Sequence, residues 1–347
     1  MTITEHTVKS DRHTTHYLAA GPEHGPLMVF VHGWPELAIS WRHQLPVFAA
    51  LGFHCIAPDM RGYGRSSVHE RLEDYAQREI VADMIELLDH LGRGTAVWVG
   101  HDWGSAVVWS IASHHPERCA AVASLCVPYA TLERGLDALI ATVDRSLYPA
   151  DQYPAGQWDY MCFYEESFEQ ATRHFEADPV RTVKALFRGA APDKRGRIGN
   201  TAVVRRNGGW FGPAGIAPDL PLDARVLTEA DLLAYAAALS RNGFFGPDAW
   251  YMNHARNVEF AREARHGGRL AMPVLFIGAS CDYVCETVDS DLAGAMGPLC
   301  ADLSTARVDS GHWMAQEKPV EVNAILCQWL ATRVTAHWPG QGICREP

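Results

Sequence analysis

Short apolar runs alternate with longer segments of mixed polarity along much of the chain. The apolar runs have the length and composition of buried strands, and the segments between them have the length and spacing of helices. The runs lie at 27–31, 53–57, 95–99, 121–127, 273–278 and 306–308, and the predicted helices at 41–51, 75–91, 104–114 and 317–332. Buried strands that alternate with helices are typical of an α/β protein with a mostly parallel, doubly wound sheet.

This alternation stops in the middle of the chain. Residues 130–255 contain amphipathic helical stretches, many aromatic residues and a Gly/Pro-rich run at 208–221, but no further buried-strand pattern. A helical block between two strand-bearing halves is typical of a lid inserted over the ligand-binding edge of a sheet. We therefore predict a core domain of residues 1–129 and 256–347, and a cap domain of residues 130–255.

The predicted strand at 95–99 runs into a helix through Gly100-His101-Asp102-Trp103-Gly104. Glycines on both sides of Asp102 permit a sharp strand-to-helix turn, which is typical of a nucleophile elbow. An aspartate that attacks a saturated carbon forms an alkyl ester, which water can hydrolyse, whereas a serine would form an inert ether. The motif thus favours displacement at carbon through Asp102, with a simple helix N-cap as the alternative interpretation.

The order of elements also predicts partners for this aspartate. In a fold with such an elbow, an acid and then a histidine follow later strands at the same sheet edge. Asp282 follows the predicted strand at 273–278, and His312 follows the one at 306–308 in a Gly-His-Trp sequence. The alternatives for the acid are Asp289, Asp291, Asp309 and Glu133.

Two further loops lie at this edge. His32-Gly33-Trp34-Pro35 follows the first predicted strand, and the backbone N–H groups of Trp34 and Trp103 are candidate oxyanion donors. We expect the Trp34–Pro35 peptide bond to be cis. In the loop after the second predicted strand, we expect Asp59 and Arg61 to form a structural ion pair.

Composition narrows the possible partners. The chain has 30 Lys+Arg and 41 Asp+Glu residues, a formal net charge of −11, which argues against nucleic acids and anionic membranes as partners. No apolar run is long enough to span a bilayer, and no signal-peptide pattern is evident. Nine scattered cysteines without framework spacing favour reduced thiols and a cytoplasmic location. No motif indicates a metal or a cofactor.

Three motifs together resemble the α/β-hydrolase-fold epoxide hydrolases of the soluble type. They are His32-Gly33-Trp34-Pro35, the Asp102 elbow and Gly311-His312-Trp313, and the similarity extends over most of the chain. The resemblance implies an α/β-hydrolase fold with a helical cap inserted after the sixth strand. It also implies conversion of an epoxide to a vicinal diol, with Asp102 as nucleophile and His312 and Asp282 activating water, without a cofactor or a metal.

The resemblance extends to two cap tyrosines that would donate protons to the epoxide oxygen. Tyr251 lies in the matching segment 243–251. Tyr160 lies in the other segment, 159–164, where Glu165-Glu166-Ser167 stands in place of the family's frequent Pro-Gly, so Tyr164 is a rival. The predicted pocket is aromatic, suited to a small apolar epoxide, and lined by Trp34, Trp103, Phe163, Trp210 and Phe244.

Two other functions remain open from the sequence alone. A dehalogenase shares the aspartate nucleophile, and a non-catalytic ligand receptor can share the fold. A halide needs N–H donors rather than phenols, so the two cap tyrosines favour an epoxide hydrolase over a dehalogenase. The presence of Asp102, Asp282 and His312 together favours an enzyme over a receptor. The sequence does not distinguish a monomer from a homodimer.

Overall fold

A computed structural model describes residues 2–340. Eight strands form one sheet in the order β1-β2-β4-β3-β5-β6-β7-β8, in which β1–β2 and β2–β4 pair antiparallel and the remaining pairs are parallel. The strands are β1 (Thr4–Lys9), β2 (Thr14–Ala20), β3 (Leu27–Val31), β4 (His54–Pro58), β5 (Ala96–His101), β6 (Cys119–Leu125), β7 (Leu270–Ala279) and β8 (Cys300–Val308). The predicted α/β-hydrolase fold is confirmed.

Twelve α-helices occur in the described part of the chain. They are α1 (Leu45–Ala50), α2 (Gln77–His90), α3 (Trp103–His114), α4 (Leu136–Ile140), α5 (Asp159–Glu176), α6 (Pro179–Leu186), α7 (Glu229–Asn242), α8 (Phe245–Ala249), α9 (His254–Arg262), α10 (Met296–Leu299), α11 (Met314–Glu317) and α12 (Pro319–Arg333). Every helix from α4 to α9 lies between β6 and β7. Within residues 2–340, this interval contains no strand.

The central strands follow the hydrophobic pattern closely because both of their faces are covered. All residues of β3, β4 and β5 are buried. Six strands run parallel from β4 and β3 to β8, so their carboxyl ends meet at one edge of the sheet. The loops after β3, β5, β7 and β8 therefore bring distant parts of the sequence together.

The two ends of the sheet depart from the predicted pattern. The hairpin of β1 and β2 has no counterpart among the predicted strands, because five of the six residues of β1 are exposed and carry no apolar run. Strand β8 is longer than the predicted 306–308, since its middle is only partly buried at the sheet edge. Edge strands lose the apolar signal that central strands retain.

The helices between β6 and β7 pack over the carboxyl edge of the sheet. Trp250 Nε1 donates to the carbonyl of Arg61 at 3.1 Å, and the hydroxyls of Ser40 and Tyr235 lie 2.6 Å apart. Buried aromatic rings fill the space between the two layers, including Trp34, which contacts Phe175 edge-on. These contacts close the space above the carboxyl ends of the strands.

Candidate active site

The turn between β5 and α3 places Asp102 in a strained backbone conformation. Its φ is 51° and its ψ is −126°, a region that non-glycine residues adopt only when the surroundings impose it. The flanking glycines make this turn possible. A Cβ on Gly100 would lie 2.5 Å from the carbonyl oxygen of Gly104, and one on Gly104 would lie 2.1 Å from that of Val31. The predicted elbow geometry is present.

The loop after β3 holds one oxygen of the Asp102 carboxylate. The Trp34 N–H donates to Asp102 Oδ1 at 2.7 Å, and the Trp34–Pro35 bond is cis, as expected. A Cβ on Gly33 would lie 2.5 Å from the Asp102 Cβ, so only glycine permits this approach. Trp103 follows directly as the first residue of α3, where backbone N–H groups are free of helical partners.

His312 stands between two carboxylates. Its Nδ1 lies 2.7 Å from Asp282 Oδ2, and its Nε2 lies 3.5 Å from Asp102 Oδ2. The other oxygen of Asp282 accepts the N–H groups of Val284 and Cys285, each at 3.0 Å. The structure thus brings together Asp102, His312 and Asp282, which are separated by up to 210 residues (312 − 102) in the sequence.

The protonation states of Asp282 and His312 follow from their surroundings. Burial by itself would raise the pKa of Asp282, but the His312 imidazole and the two N–H groups lower it to about 2. Burial by itself would lower the pKa of His312, but Asp282 and Asp102 raise it well above its usual value. In the resting site, His312 is therefore held as the cation between two anions.

The four alternative acids from the sequence analysis lie in surroundings different from that of Asp282. Asp309 and Asp291 are exposed, and Asp289 pairs with Arg195 at 3.1 Å. Glu133 is buried, where its carboxylate accepts the backbone N–H of Ala130 at 2.6 Å. Asp282 is the acid that contacts His312.

A buried ion pair lies beneath these residues. His101 Nδ1 lies 2.7 Å from Glu36 Oε2, and its Nε2 lies 2.8 Å from the carbonyl oxygen of His312. Both acceptors are oxygens, so both ring nitrogens of His101 must carry hydrogen. Glu36 also accepts the Gly33 N–H at 3.0 Å. The pair therefore fixes the backbones of both the Trp34 loop and the His312 loop.

We expect this ion pair to make stability depend on pH in the alkaline range. Burial by itself would lower the pKa of His101, but Glu36 raises it to about 10. Relative to an unfolded pKa near 6.5, the raised value stabilises the fold fully below about pH 6.5, and this contribution is lost as the pH rises through 10. The free energy of unfolding should fall by up to about 1.4 kcal/mol per pH unit in that window.

Urea unfolding at about pH 7 and about pH 9 measures this slope. The control is Glu36→Gln, which removes the charge that raises the pKa of His101. Its pH slope should be shallower than that of the unmodified protein. Equal slopes would contradict the assignment of a charged His101.

A cavity of about 380 Å³ opens above the Asp102–His312 pair. Tyr160 on α5 and Tyr251 line it together with Trp34 and Trp210. The rings of Tyr160 and Tyr251 lie 5.8 Å apart at an angle of 74°. Burial raises the pKa of both phenols well above the usual value, and the Asp102 carboxylate adds to the effect, so both hydroxyls remain protonated donors.

The rival Tyr164 lies behind this wall. Its ring stacks on that of Tyr251 at 4.5 Å, it is fully buried, and it is absent from the cavity lining. This arrangement favours Tyr160 as the first tyrosine that a ligand would meet.

The structure places only two of the five predicted aromatic residues in the cavity lining. Trp34 and Trp210 line the cavity, whereas Trp103, Phe163 and Phe244 do not. Phe175 lies between Phe244 and Trp34, with ring distances of 5.2 Å to each, so Phe244 supports the wall from behind. Lining residues without a sequence signal are Leu186, Arg188, Gly189, Ala191, Lys194, Thr201, Arg225, Cys281, Tyr283 and Val284. Trp313, from the Gly311-His312-Trp313 motif, also lines the cavity.

Two groups of side chains in the described region have atoms close enough to bind a metal ion. They are His101, Cys126 and His312, and Asp282, Cys285 and His312. In the first group both His101 nitrogens donate hydrogen bonds, which leaves no lone pair for a metal. In the second, Asp282 and His312 already bind each other. The arrangement suits proton transfer better than metal binding.

The fold and the Asp102 elbow define the protein as an α/β hydrolase. A family model described as "alpha/beta hydrolase fold" matches residues 26–183. The chain is 35% identical to epoxide hydrolase A of Mycobacterium tuberculosis, over 94% of this chain and 97% of that protein. It is 34% identical to bifunctional epoxide hydrolase 2 of Sus scrofa, over 91% of this chain and 53% of that longer protein.

A solved structure agrees with these relatives. The crystal structure of epoxide hydrolase A from Mycobacterium thermoresistibile matches with a TM-score of 0.76 and 34% identity, covering 95% of this chain and 99% of that one. The chain therefore belongs to the epoxide hydrolase family. No helix among residues 2–340 has the length and apolar character needed to cross a membrane.

Proposed function

We propose that this enzyme hydrolyses epoxides to vicinal diols through a covalent ester on Asp102. The observation that carries the proposal is the arrangement of groups around the cavity. Asp102 and His312 lie at its floor, and two protonated phenols, Tyr160 and Tyr251, line its wall. A carboxylate nucleophile and proton donors are the two groups that epoxide opening requires.

In the first step, Asp102 attacks a ring carbon. The Trp34 N–H holds Oδ1, so Oδ2 is the oxygen available to form the new bond. The carbon–oxygen bond of the ring breaks as the Asp102 bond forms, and a phenol donates its proton to the departing oxygen. The product is a hydroxyalkyl ester of Asp102.

In the second step, His312 acts as the general base. Ester formation removes the negative charge of Asp102, which is one of the charges that raise the pKa of His312. The pKa of His312 therefore falls, and the imidazolium gives its resting proton, through solvent, to the phenolate that ring opening leaves. The neutral imidazole can then accept a proton from water.

The hydroxide attacks the ester carbonyl carbon, and the N–H groups of Trp34 and Trp103 stabilise the oxyanion. As the ester carbon–oxygen bond breaks, His312 returns its proton to the leaving alkoxide, and the diol departs. The Asp102 carboxyl then gives its proton to His312, which restores the resting site.

The same nucleophile could release a halide, so the activity needs a direct comparison. Trp34 Nε1, a candidate halide donor, instead donates to Asp248 Oδ1 at 2.9 Å. Diol formation from a styrene oxide-type epoxide should be measured beside halide release from haloalkanes. We expect diol and little halide. Halide without diol would overturn the proposal and establish a dehalogenase, and a ligand receptor would give neither.

We expect loss of either cavity phenol to slow ring opening. Tyr160→Phe and Tyr251→Phe each remove one hydroxyl, and general acid catalysis typically contributes about 10²–10⁴-fold. Each variant should lower the single-turnover rate of ester formation, and the double variant should lower it further. Tyr164→Phe is the matched control, because Tyr164 lies outside the cavity lining. A greater loss in Tyr164→Phe than in Tyr160→Phe would reverse their roles.

The domain organisation and setting complete the proposal. Residues 130–255 act as the cap and residues 1–129 and 256–347 as the core, although α9 (His254–Arg262) continues across the second boundary. Cys344 and the rest of 341–347 lie outside the described residues. The other eight cysteines are free thiols, which supports a reducing, cytoplasmic setting. A monomer and a homodimer are both compatible with the site, which one chain completes.

A further inference from the structure

A buried carboxyl group that the proposed reaction does not use lies behind the cavity wall. Asp248, on α8, is fully buried and absent from the cavity lining. Trp34 Nε1 donates to its Oδ1 at 2.9 Å, and its Oδ2 lies 3.2 Å from Thr172 Oγ1 on α5. No Lys, Arg or His nitrogen of residues 2–340 lies within 4.0 Å of either oxygen. The carboxyl group therefore has no cation beside it to stabilise a negative charge.

The position of Thr172 indicates which group carries the hydrogen between it and Asp248. The Thr172 hydroxyl lies 3.0 Å from the carbonyl oxygen of Phe168, one turn earlier in α5, and 3.2 Å from Asp248 Oδ2. A hydroxyl has one hydrogen, so it cannot donate fully to both oxygens. Threonines inside helices often donate to the carbonyl four residues earlier. In that arrangement Thr172 accepts from Asp248, and Oδ2 must carry a hydrogen.

The surroundings of Asp248 favour the same arrangement. An ionised carboxyl with neutral donors alone is a buried, unpaired charge, which costs far more free energy than a neutral acid. Burial raises the pKa of Asp248 well above its usual value, and the charge of Glu176 adds to this effect, whereas the two hydrogen bonds lower the pKa by less. The nearby phenols of Tyr63 and Tyr164 are neutral and supply no positive charge. The site therefore favours a neutral carboxylic acid.

The indole that Asp248 binds belongs to the residue that holds the nucleophile. The Trp34 backbone N–H donates to Asp102 Oδ1 at 2.7 Å. The Trp34 ring also packs nearly at right angles to that of Tyr251, with the ring centres 5.9 Å apart. Tyr251 follows Asp248 by three residues (251 − 248) in the same segment of the cap. One carboxyl group therefore connects the loop that holds Asp102 with the segment that carries a proton-donating phenol.

We propose that Asp248 is a positioning residue, a neutral carboxylic acid that fixes the Trp34 indole so that the nucleophile and the Tyr251 phenol face the epoxide together. This inference rests on the proposed epoxide hydrolysis. Asp248 lies outside the cavity lining, so it acts through Trp34 and contacts neither the substrate nor the reacting atoms. Such an effect can be large, because a displacement of about 1 Å in a reacting group can lower a rate about a hundredfold.

The first test replaces the acid with an amide and with an alkyl group of similar size. Asp248→Asn keeps an oxygen that accepts from Trp34 and gains an N–H that donates to Thr172, whereas Asp248→Leu offers neither. We expect Asp248→Leu to lower kcat and the single-turnover rate of ester formation by about tenfold or more, and Asp248→Asn to restore most of that loss. An amide as poor as leucine, or an effect confined to KM, would overturn the inference.

A double-variant cycle tests whether Asp248 acts through Trp34. Trp34→Phe keeps an aromatic ring in the cavity wall but has no N–H for the carboxyl group. In that background, Asp248→Leu should lower the rate by less than about threefold, because the hydrogen bond has already been lost. Losses of equal size in both backgrounds would mean that Asp248 supports the fold independently of Trp34. Thermal unfolding of each variant verifies that folded proteins are compared.

Infrared spectroscopy tests the protonation of Asp248 independently of catalysis. At about pH 7, where an ordinary aspartate is ionised, the unmodified protein minus Asp248→Asn should show the C=O band of a protonated carboxylic acid. Glu176→Gln is the matched control, because Glu176 is exposed and its loss should remove carboxylate bands alone. Carboxylate bands alone in the Asp248→Asn difference would overturn the neutral assignment.

The outcomes separate this inference from the function beneath it. Diol formation by the unmodified protein, with no loss in Asp248→Leu, would refute the positioning role and leave the epoxide hydrolase activity intact. Failure of the unmodified protein to hydrolyse any epoxide would refute the proposed function and, with it, the positioning role. The infrared result would still report the protonation of Asp248.

Discussion

Asp102→Asn is expected to abolish diol formation, with a fall in kcat of at least about 10⁴-fold. The amide has nearly the shape of the carboxylate, and its oxygen can still accept the Trp34 N–H that now binds Oδ1 at 2.7 Å. The substitution therefore removes the nucleophilic charge while preserving the elbow. Steady-state diol formation measures the loss, and circular dichroism verifies the fold.

Asp309→Asn is the matched control for this variant. Asp309 is an exposed carboxylate in the loop that carries His312, and we expect nearly full activity from it. If Asp102→Asn retained activity within tenfold of the unmodified enzyme, Asp102 would not be the nucleophile. A single turnover in heavy-oxygen water gives an independent test, because the hydrolytic oxygen should enter the Asp102 carboxylate rather than the diol.

His312→Gln should separate the two half-reactions. Asp102 still opens the ring, but no base activates water, so the hydroxyalkyl ester accumulates. Steady-state turnover should fall by about 10²–10⁴-fold, the usual contribution of a general base. Mass spectrometry of the variant mixed with epoxide should show a protein heavier by the mass of one substrate molecule, located on the peptide that contains Asp102.

His90→Gln controls for the loss of a histidine, because His90 is exposed at the end of α2. It should turn over normally and show no adduct. Two results from His312→Gln would contradict the proposed role. Full diol turnover would mean that another group activates water, and ring opening without an adduct would mean that water attacks the epoxide directly.

The sequence determined the central fold and most of the candidate site. Residues in β3, β4 and β5 are buried on both faces, so these strands are mainly apolar and can be recognised from the sequence alone. The elbow was visible because a Cβ on Gly100 or Gly104 would lie within 3 Å of neighbouring backbone, so both positions require glycine. Asp282 and His312 were placed by element order alone, since each follows a strand that ends at the same edge.

The tertiary structure decided what depends on contacts between distant segments. The expected Asp59–Arg61 ion pair was wrong, because Arg61 binds Asp83 of α2 at 2.7 Å and Asp59 lies 3.1 Å from His16 of β2. A charged residue takes whichever partner packing brings near, and chain proximity is a poor guide to that partner. For the same reason, the His101–Glu36 ion pair was not predicted from the sequence, although the position of His101 next to Asp102 was one available signal.

Which aromatic residues face the cavity was also decided by packing. Tyr160 and Tyr164 lie one helical turn apart on α5, and the sequence could not separate them. The fold buries Tyr164 against Tyr251 and leaves Tyr160 in the cavity lining. Packing likewise brings Arg188, Lys194 and Arg225 to the cavity lining from two separate loops. The sequence determined the candidate reacting groups because strand order places them, whereas packing between the cap and the core decided which other side chains line the cavity.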